Sequence, residues 1–299
     1  MTSKALAELI VDAKNSVGES PVWLAAEQAL YWVDIPACTL HKWDAATAQT
    51  SSWQTPGMLA CIAPVESGGW VAGMEAEMVL LKTLADVFLT CTPLALVHHS
   101  QPGMRFNDGR CDRQGRFLAG TMVMDMSLAS PAGQVYSLSP PHNGGALLDG
   151  LITPNGMAFS PDGKTMYLSD SHPSVQLVWA FDYDTSTGTP SNRRVFIDMN
   201  LFPGRPDGAA VDADGCYWIC GNDAGLVHRF TPAGKLDYSL AVPVKKPAMC
   251  AFGGAGLDTL FVTSIRPQGI DLSDQPLAGG VFALKPGVRG LVEPAFQMS

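Results

Sequence analysis

The stretch Asn155-Gly156-Met157-Ala158-Phe159-Ser160-Pro161-Asp162-Gly163-Lys164-Thr165-Met166-Tyr167-Leu168-Ser169-Asp170 decides the fold. Two apolar runs flank a Pro-Asp-Gly turn, and Val175-Gln176-Leu177-Val178-Trp179-Ala180-Phe181 supplies a third run soon after. Short β-rich runs separated by Asp-Gly or Gly-rich pairs read as strands joined by hairpin turns. The unit then recurs. Asp207 leads Ala213-Asp214-Gly215, Tyr217-Trp218-Ile219-Cys220 and Leu226-Val227-His228-Arg229-Phe230 in the same order.

Working outward, four more units appear. One runs from Pro21 to Asp44, a second from Cys61 to Leu81, a third from Asn107 to Leu138, and a last from Ala248 to Leu284. Unit starts fall roughly every 40 to 52 residues, close to the period of a four-stranded propeller blade. The expectation is therefore an all-β chain, a single six-bladed β-propeller domain over residues 1–299. Leu9-Ile10-Val11 is expected to pair with the last blade and close the ring, and only Met122 to Leu128 offers weak helical spacing.

Composition agrees. A hydrophobic fraction of 46% supports a large core, and a charged fraction of 16% is low for a helical or disordered chain. The net charge of −9 argues against a nucleic-acid binder, which needs clustered Lys and Arg. The adjacent pairs Arg193-Arg194 and Lys245-Lys246 read as solvated loop charges. An acidic surface does not help to hold an anionic substrate unless a local Arg overrides it. Seven cysteines without zinc spacing read as buried thiols in a reduced, cytoplasmic setting. The start, Met1 to Ala13, reads as mature sequence, and no apolar run approaches the length that spans a bilayer.

Four polar signatures occupy equivalent places in the repeat: Gly18-Glu19-Ser20-Pro21, Phe106-Asn107-Asp108-Gly109, Pro154-Asn155-Gly156 and Pro206-Asp207-Gly208. Each stands before a strand-like run, so Glu19, Asn107, Asn155 and Asp207 are expected at the start of innermost strands, around one mouth of the central channel. Asn-Gly and Asp-Gly also shape ordinary turns, as at Asp162-Gly163 and Asp214-Gly215. Those pairs follow the first strand, whereas the signatures lead it. Glu19, Asn155 and Asp207 offer two anionic oxygens and one amide oxygen, a set that suits a hard divalent cation such as Ca²⁺ or Mg²⁺ and accommodates Zn²⁺ or Mn²⁺.

At this point the chain resembles a known family, the gluconolactonase and senescence-marker-protein (regucalcin) family of six-bladed propellers. The carriers are Gly18-Glu19-Ser20-Pro21-Val22-Trp23, Leu30-Tyr31-Trp32-Val33-Asp34, Arg105-Phe106-Asn107-Asp108-Gly109, Ala119-Gly120-Thr121-Met122, Pro154-Asn155-Gly156-Met157-Ala158-Phe159-Ser160 and Pro206-Asp207-Gly208. The resemblance implies that Glu19, Asn155 and Asp207 hold one divalent cation, Ca²⁺ first, and that Asp207 is also the catalytic base. It implies that Arg105 and Asn107 contact substrate. The family often has an acid shortly after Gly-Thr-Met, where this chain has Met124 followed by Asp125. His172 and Glu75 are further candidates for the mouth.

The implied activity is hydrolysis of a sugar lactone, such as a glucono- or pentonolactone, to the aldonic acid. Water would be activated by Asp207 or by the metal. Alternatives are an organophosphate or aryl esterase on the same site, and a non-catalytic propeller that binds calcium or a protein. A Gly-x-Ser-x-Gly elbow is absent from the sequence, which disfavours a serine hydrolase. The expected partner is a small-molecule sugar lactone, with no nucleic acid, no membrane and no obligatory protein partner.

Overall fold

Apolar runs cut at regular intervals by glycine turns can bury both faces only by stacking sheet upon sheet. The computed structural model of the chain does this, and describes residues 7–84, 88–139 and 144–298. Among these residues, 24 strands form six four-stranded sheets, each a succession of antiparallel neighbours. The innermost strands are Gly18–Leu24, Cys61–Pro64, Met104–Cys111, Pro154–Phe159, Arg205–Val211 and Pro247–Gly253. Each packs against the inner strands of the two neighbouring blades, so the six close into a ring around a channel. The architecture is a six-bladed β-propeller.

Closure uses the amino-terminal strand as expected. Glu8–Val11 pairs antiparallel with Val281–Leu284, Leu9 opposite Phe282, and completes the sixth sheet outside the strands that precede it in space. Residues 1–6, the first part of the stretch read as mature sequence, lie outside the described residues. The weak helical spacing resolves into strand and turn: Met122 and Val123 belong to Phe117–Val123, and only Met126–Leu128 forms a 3₁₀ turn, capped by Asp125. No helix among the described residues is long and apolar enough to cross a membrane.

Blade-to-blade packing leaves little room at the inner strands, which explains the small residues there. A Cβ on Gly208 would lie 2.3 Å from Cβ and Cγ of Met249 on the next inner strand. Gly156 is restricted twice, by φ of +59° and by the Tyr217 hydroxyl 2.5 Å from where its Cβ would stand. Gly208→Ala is therefore expected to cost about 1–3 kcal/mol through overpacking, and to lower the melting temperature by several degrees. A thermal melt checks this, and an unchanged midpoint would refute the packing account.

The far end of the channel is crossed by the carboxy-terminal segment. The Phe296 amide donates to the Pro64 carbonyl at 2.7 Å, Gln297 N–H to Gly115 O at 3.0 Å, and Gly290 bridges to Asp212. Between these anchors, Glu293 pairs with the buried Arg110 at 3.2 Å, and Arg110 also donates to the Ala209 carbonyl at 2.6 Å. Glu19, Asn107, Asn155 and Asp207 lie toward the opposite end of the inner strands.

Candidate active site at the channel mouth

The signatures lie inside the first strand of each blade and not before it. The pairing of the inner strand with the second strand breaks register between Glu19 and Val22, Phe106 and Gly109, Asn155 and Ala158, Pro206 and Ala209, and Pro247 and Cys250. In each break three steps on the inner strand match two on its partner, which is a one-residue β-bulge. Among the described residues, the blade-two inner strand pairs without such a break. What looks in sequence like a turn dipeptide is thus a bulge that re-aims side chains at the rim of the channel. Ser20, at φ +49°, and Gly156 take up the backbone distortion in blades one and four.

Glu19, Asn155 and Asp207 are all buried at these bulges. The Ser20 amide donates to Glu19 Oε2 at 3.2 Å, and Asn222 Nδ2 donates to Asp207 Oδ2 at 2.6 Å. Glu19 Oε1 and Asp207 Oδ1 take no hydrogen bond among the described residues. Asn155 Oδ1 accepts from Asn107 Nδ2 at 3.1 Å. Asn107 Nδ2 also reaches the Pro154 carbonyl at 3.0 Å, and its Oδ1 accepts from Arg105 Nη1 at 2.9 Å. Arg105 Nη1 further donates to the Phe106 carbonyl at 2.6 Å, while Nε and Nη2 make no hydrogen bond among the described residues. Arg105, Asn107 and Asn155 therefore form one relay, and the sequence-based pair Arg105 and Asn107 is joined directly to a proposed cation ligand.

The electrostatics are those of too many acids in too little water. Burial pushes the Glu19 carboxyl well above the usual range, and Asp207 and Asp108 add to the rise; the Ser20 amide and Arg105 offset part of it. Asp207 is pushed up to about 7, again chiefly by burial, against the pull of Arg205 and the Asn222 hydrogen bond. Asp108 is raised by burial too, although Arg110 and the Met157 amide oppose it. Its Oδ2 accepts from Met157 N–H at 2.8 Å, but its buried Oδ1 has no partner among the described residues. Thr153 and Ser169 hydroxyls are likewise buried and unpaired. Burial lowers Arg105 from its ordinary value, and the Glu19 carboxylate opposes that shift.

Two carboxylates with unused oxygens, an amide oxygen held in place, and an orphaned acid beneath them fit a hard cation with oxygen ligands. They do not fit a nitrogen- or sulfur-ligated metal. Among the described residues, no group of three or more His, Cys, Asp or Glu is clustered to hold an ion. The seven cysteines are all free.

The secondary candidates separate. Met124 is 43% exposed, and its amide donates to the Gly103 carbonyl at 2.9 Å. Asp125 turns back on its own segment, accepting from the Ser127 amide at 3.0 Å and hydroxyl at 2.6 Å. The His172 ring bonds Ser174 Oγ at 2.7 Å and the Met126 carbonyl at 3.1 Å, tying blade four to the lip of blade three. Glu75 accepts from the Met58 amide at 2.9 Å, which makes it a loop anchor. Asp170 is structural, receiving the Ile152, Thr153 and His172 amides.

Sequence reasoning missed four residues here. Asp108 stood in plain view inside the Phe-Asn-Asp-Gly signature. Asn222, Arg205 and Asp223 had no motif of their own, although Arg205 directly precedes Pro206-Asp207. Lys246 is corrected: it is not a solvated loop charge but bonds Asp223 and, at 3.4 Å, Asn222 Oδ1. Arg193 is also not free, because its guanidinium lies 3.6 Å from the Trp179 ring centroid.

Residues 17–266 match the family model described as the SMP-30/Gluconolactonase/LRE-like region. A 6-deoxy-6-sulfogluconolactonase from Pseudomonas putida is 37% identical over 291 residues, covering 96% of this chain and 97% of that protein. Regucalcin from Danio rerio is 36% identical over 288 residues, covering 95% and 96%. Among solved structures, a calcium-binding regucalcin from Agrobacterium tumefaciens superposes with a TM-score of 0.90 at 27% identity, covering 98% of each chain.

Proposed function

We propose, starting from a chain that belongs to the SMP-30/gluconolactonase/LRE-like family, that the mouth is the active site of a cation-dependent hydrolase that opens sugar lactones to aldonic acids. The lactonase and regucalcin names of its relatives support the activity and a divalent ion, Ca²⁺ first. The observation that carries the reading is the convergence of Glu19, Asn155 and Asp207 on bulges at one rim, where burial raises both carboxyls.

Glu19, Asn155 and Asp207 would hold the ion, which when bound supplies a charge that polarises the lactone carbonyl and favours its oxyanion. The chain's own residues do the rest. Asn222 fixes Asp207 Oδ2, leaving Oδ1 to take a proton from the attacking water and return it to the departing ring oxygen. Asn107 keeps Asn155 Oδ1 oriented, and the unused Nε and Nη2 of Arg105 donate to lactone or hydroxyl oxygens. The apolar Met124 lip replaces an acid that would otherwise bind a hydroxyl there.

A panel of five- and six-carbon sugar lactones, aryl esters and an organophosphate, assayed with Ca²⁺, Zn²⁺, Mn²⁺ and Mg²⁺ in turn, tests the reading. Sugar lactones are expected to be opened at least about 10²-fold faster, by kcat/KM, than the other esters, on the scale that matched polar contacts discriminate. Preferential aryl-ester or organophosphate hydrolysis would replace the lactonase with the esterase reading.

A further inference from the structure

Three basic residues share one place in the repeat. Arg105, Arg205 and Lys246 each immediately precede the residue at which an inner strand breaks register, namely Phe106, Pro206 and Pro247. Repeat geometry therefore sets them at one end of the channel, on blades three, five and six, in a chain whose net charge is −9. Arg105 is spoken for by the Asn107 relay. The other two form a separate group.

Arg205 Nε donates to Asp223 Oδ2 at 2.7 Å, and Lys246 Nζ donates to Asp223 Oδ1. Both reach Asn222 Oδ1 at 3.4 Å, and Arg205 Nη1 reaches the Ser171 carbonyl at 3.4 Å. Two cations thus share one carboxylate, and their remaining contacts are long. Asp223 itself is held at φ +80°, a conformation that a non-glycine residue adopts at a cost. The Arg205 and Lys246 side chains are 24% and 26% exposed, open enough to meet a ligand and buried enough to lose part of their hydration. Asn222 connects this group to the chemistry, because its amide donates to Asp207 Oδ2. On blade three, Met124 carries no charge, and Asp125 is engaged by Ser127.

We propose that Arg205 and Lys246 receive an anionic substituent of the substrate, so that the preferred lactone carries a phosphate, sulfonate or carboxylate on a carbon remote from its carbonyl. The planar guanidinium gives two directed donors and the ammonium a mobile third, which together match a tetrahedral or planar oxyanion. Asp223 holds the two cations at a spacing they would not keep by themselves, and it supplies too little charge to cancel them. Asn222 sets the distance between that anion and the reacting centre. The proposal rests on the lactonase reading for the ring, but the anion site is defined by its own residues.

Two measurements test it. The first compares kcat/KM for δ-gluconolactone with its 6-phospho and 6-deoxy-6-sulfo analogues and with glucarolactone. One anionic lactone is expected to exceed the neutral one by about 10- to 100-fold, the scale of charge-assisted hydrogen bonds, and the best of the three identifies the group. Arg205→Gln and Lys246→Gln are each expected to shrink that ratio at least several-fold, while Arg205→Lys restores part of it. The second measures calorimetric binding of 6-phosphogluconate and gluconate to the cation-loaded protein, with the same ranking expected. A neutral lactone turned over as well as every anionic one, or a ratio untouched by both Gln variants, overturns the proposal. Failure to hydrolyse any lactone with retained preference for 6-phosphogluconate would overturn the lactonase reading and leave the anion site standing. Equal binding of the two acids would overturn the anion site.

Discussion

Replacing Asp207 by alanine is expected to lower lactone hydrolysis by about 10³-fold or more while the propeller stays folded, because a base and an ion ligand are lost together. Asp207 sits at a bulge on the rim, contributes no apolar contact to the core, and is charged only at the expense of its hydration. Removing such a group relieves the cation-free protein of an unfavourable buried charge. Asp207→Asn preserves the shape and makes the comparison clean. It is expected to be as inactive as the alanine variant, yet to melt no lower than the parent without added ion above neutral pH. Lactone assays beside thermal melts check both halves. Near-parental turnover in either variant would move the base elsewhere, and a large drop in melting temperature would mean that Asp207 serves the fold.

Rigorous chelation is expected to abolish hydrolysis, with recovery on adding back a divalent cation, and the accompanying change in stability has a predictable pH dependence. Asp207 is raised to about 7 in the folded chain, against roughly 3.9 for an exposed aspartate. A raised carboxyl contributes stability that is fully present below the unfolded value, near pH 4, and is lost as pH rises through the folded value. Glu19 shifts in the same direction, from burial and from the neighbouring acids. The ion-free protein should therefore lose stability between about pH 4 and 7. A cation competes with those protons, so the rise in melting temperature that Ca²⁺ produces should be small near pH 5.5 and largest near pH 8. Saturation at about 100 times Kd corresponds to roughly 2.7 kcal/mol, or several degrees for a chain of this size. Scanning fluorimetry with and without Ca²⁺ measures it. Full activity after chelation, or an equal shift at both pH values, would contradict ion binding by these carboxylates.

The sequence disclosed the ring more readily than the mouth. Periodicity alone located six blades and the closing strand, because each blade must hide two faces and repeats its turns to do so. Glu19, Asn155 and Asp207 were visible through their phase within that repeat. The bulges were not. Asn155-Gly156 and Asp207-Gly208 are also turn dipeptides, and only the pairing of Asn155 with Ser169 and Ala158 with Tyr167 distinguishes a bulge from a turn. Lys246 was misread for a related reason, since adjacent basic residues look alike until one of them, Lys245, pairs with Asp274 outside the site. Asp108 illustrates a further blind spot: nothing in its neighbours reveals that one carboxylate oxygen finds a backbone amide and the other finds nothing.

The carboxy-terminal segment that crosses the far end of the ring has a consequence for traffic. With Glu293 paired to Arg110, and Phe296 tied to Pro64, this segment lies across the end of the ring away from Glu19, Asn155 and Asp207. On the lactonase reading, a small ring would enter and leave at the rim that carries those three residues. The opened acid would then back out past the residues that admitted its parent, and vacating that rim would be part of each catalytic cycle.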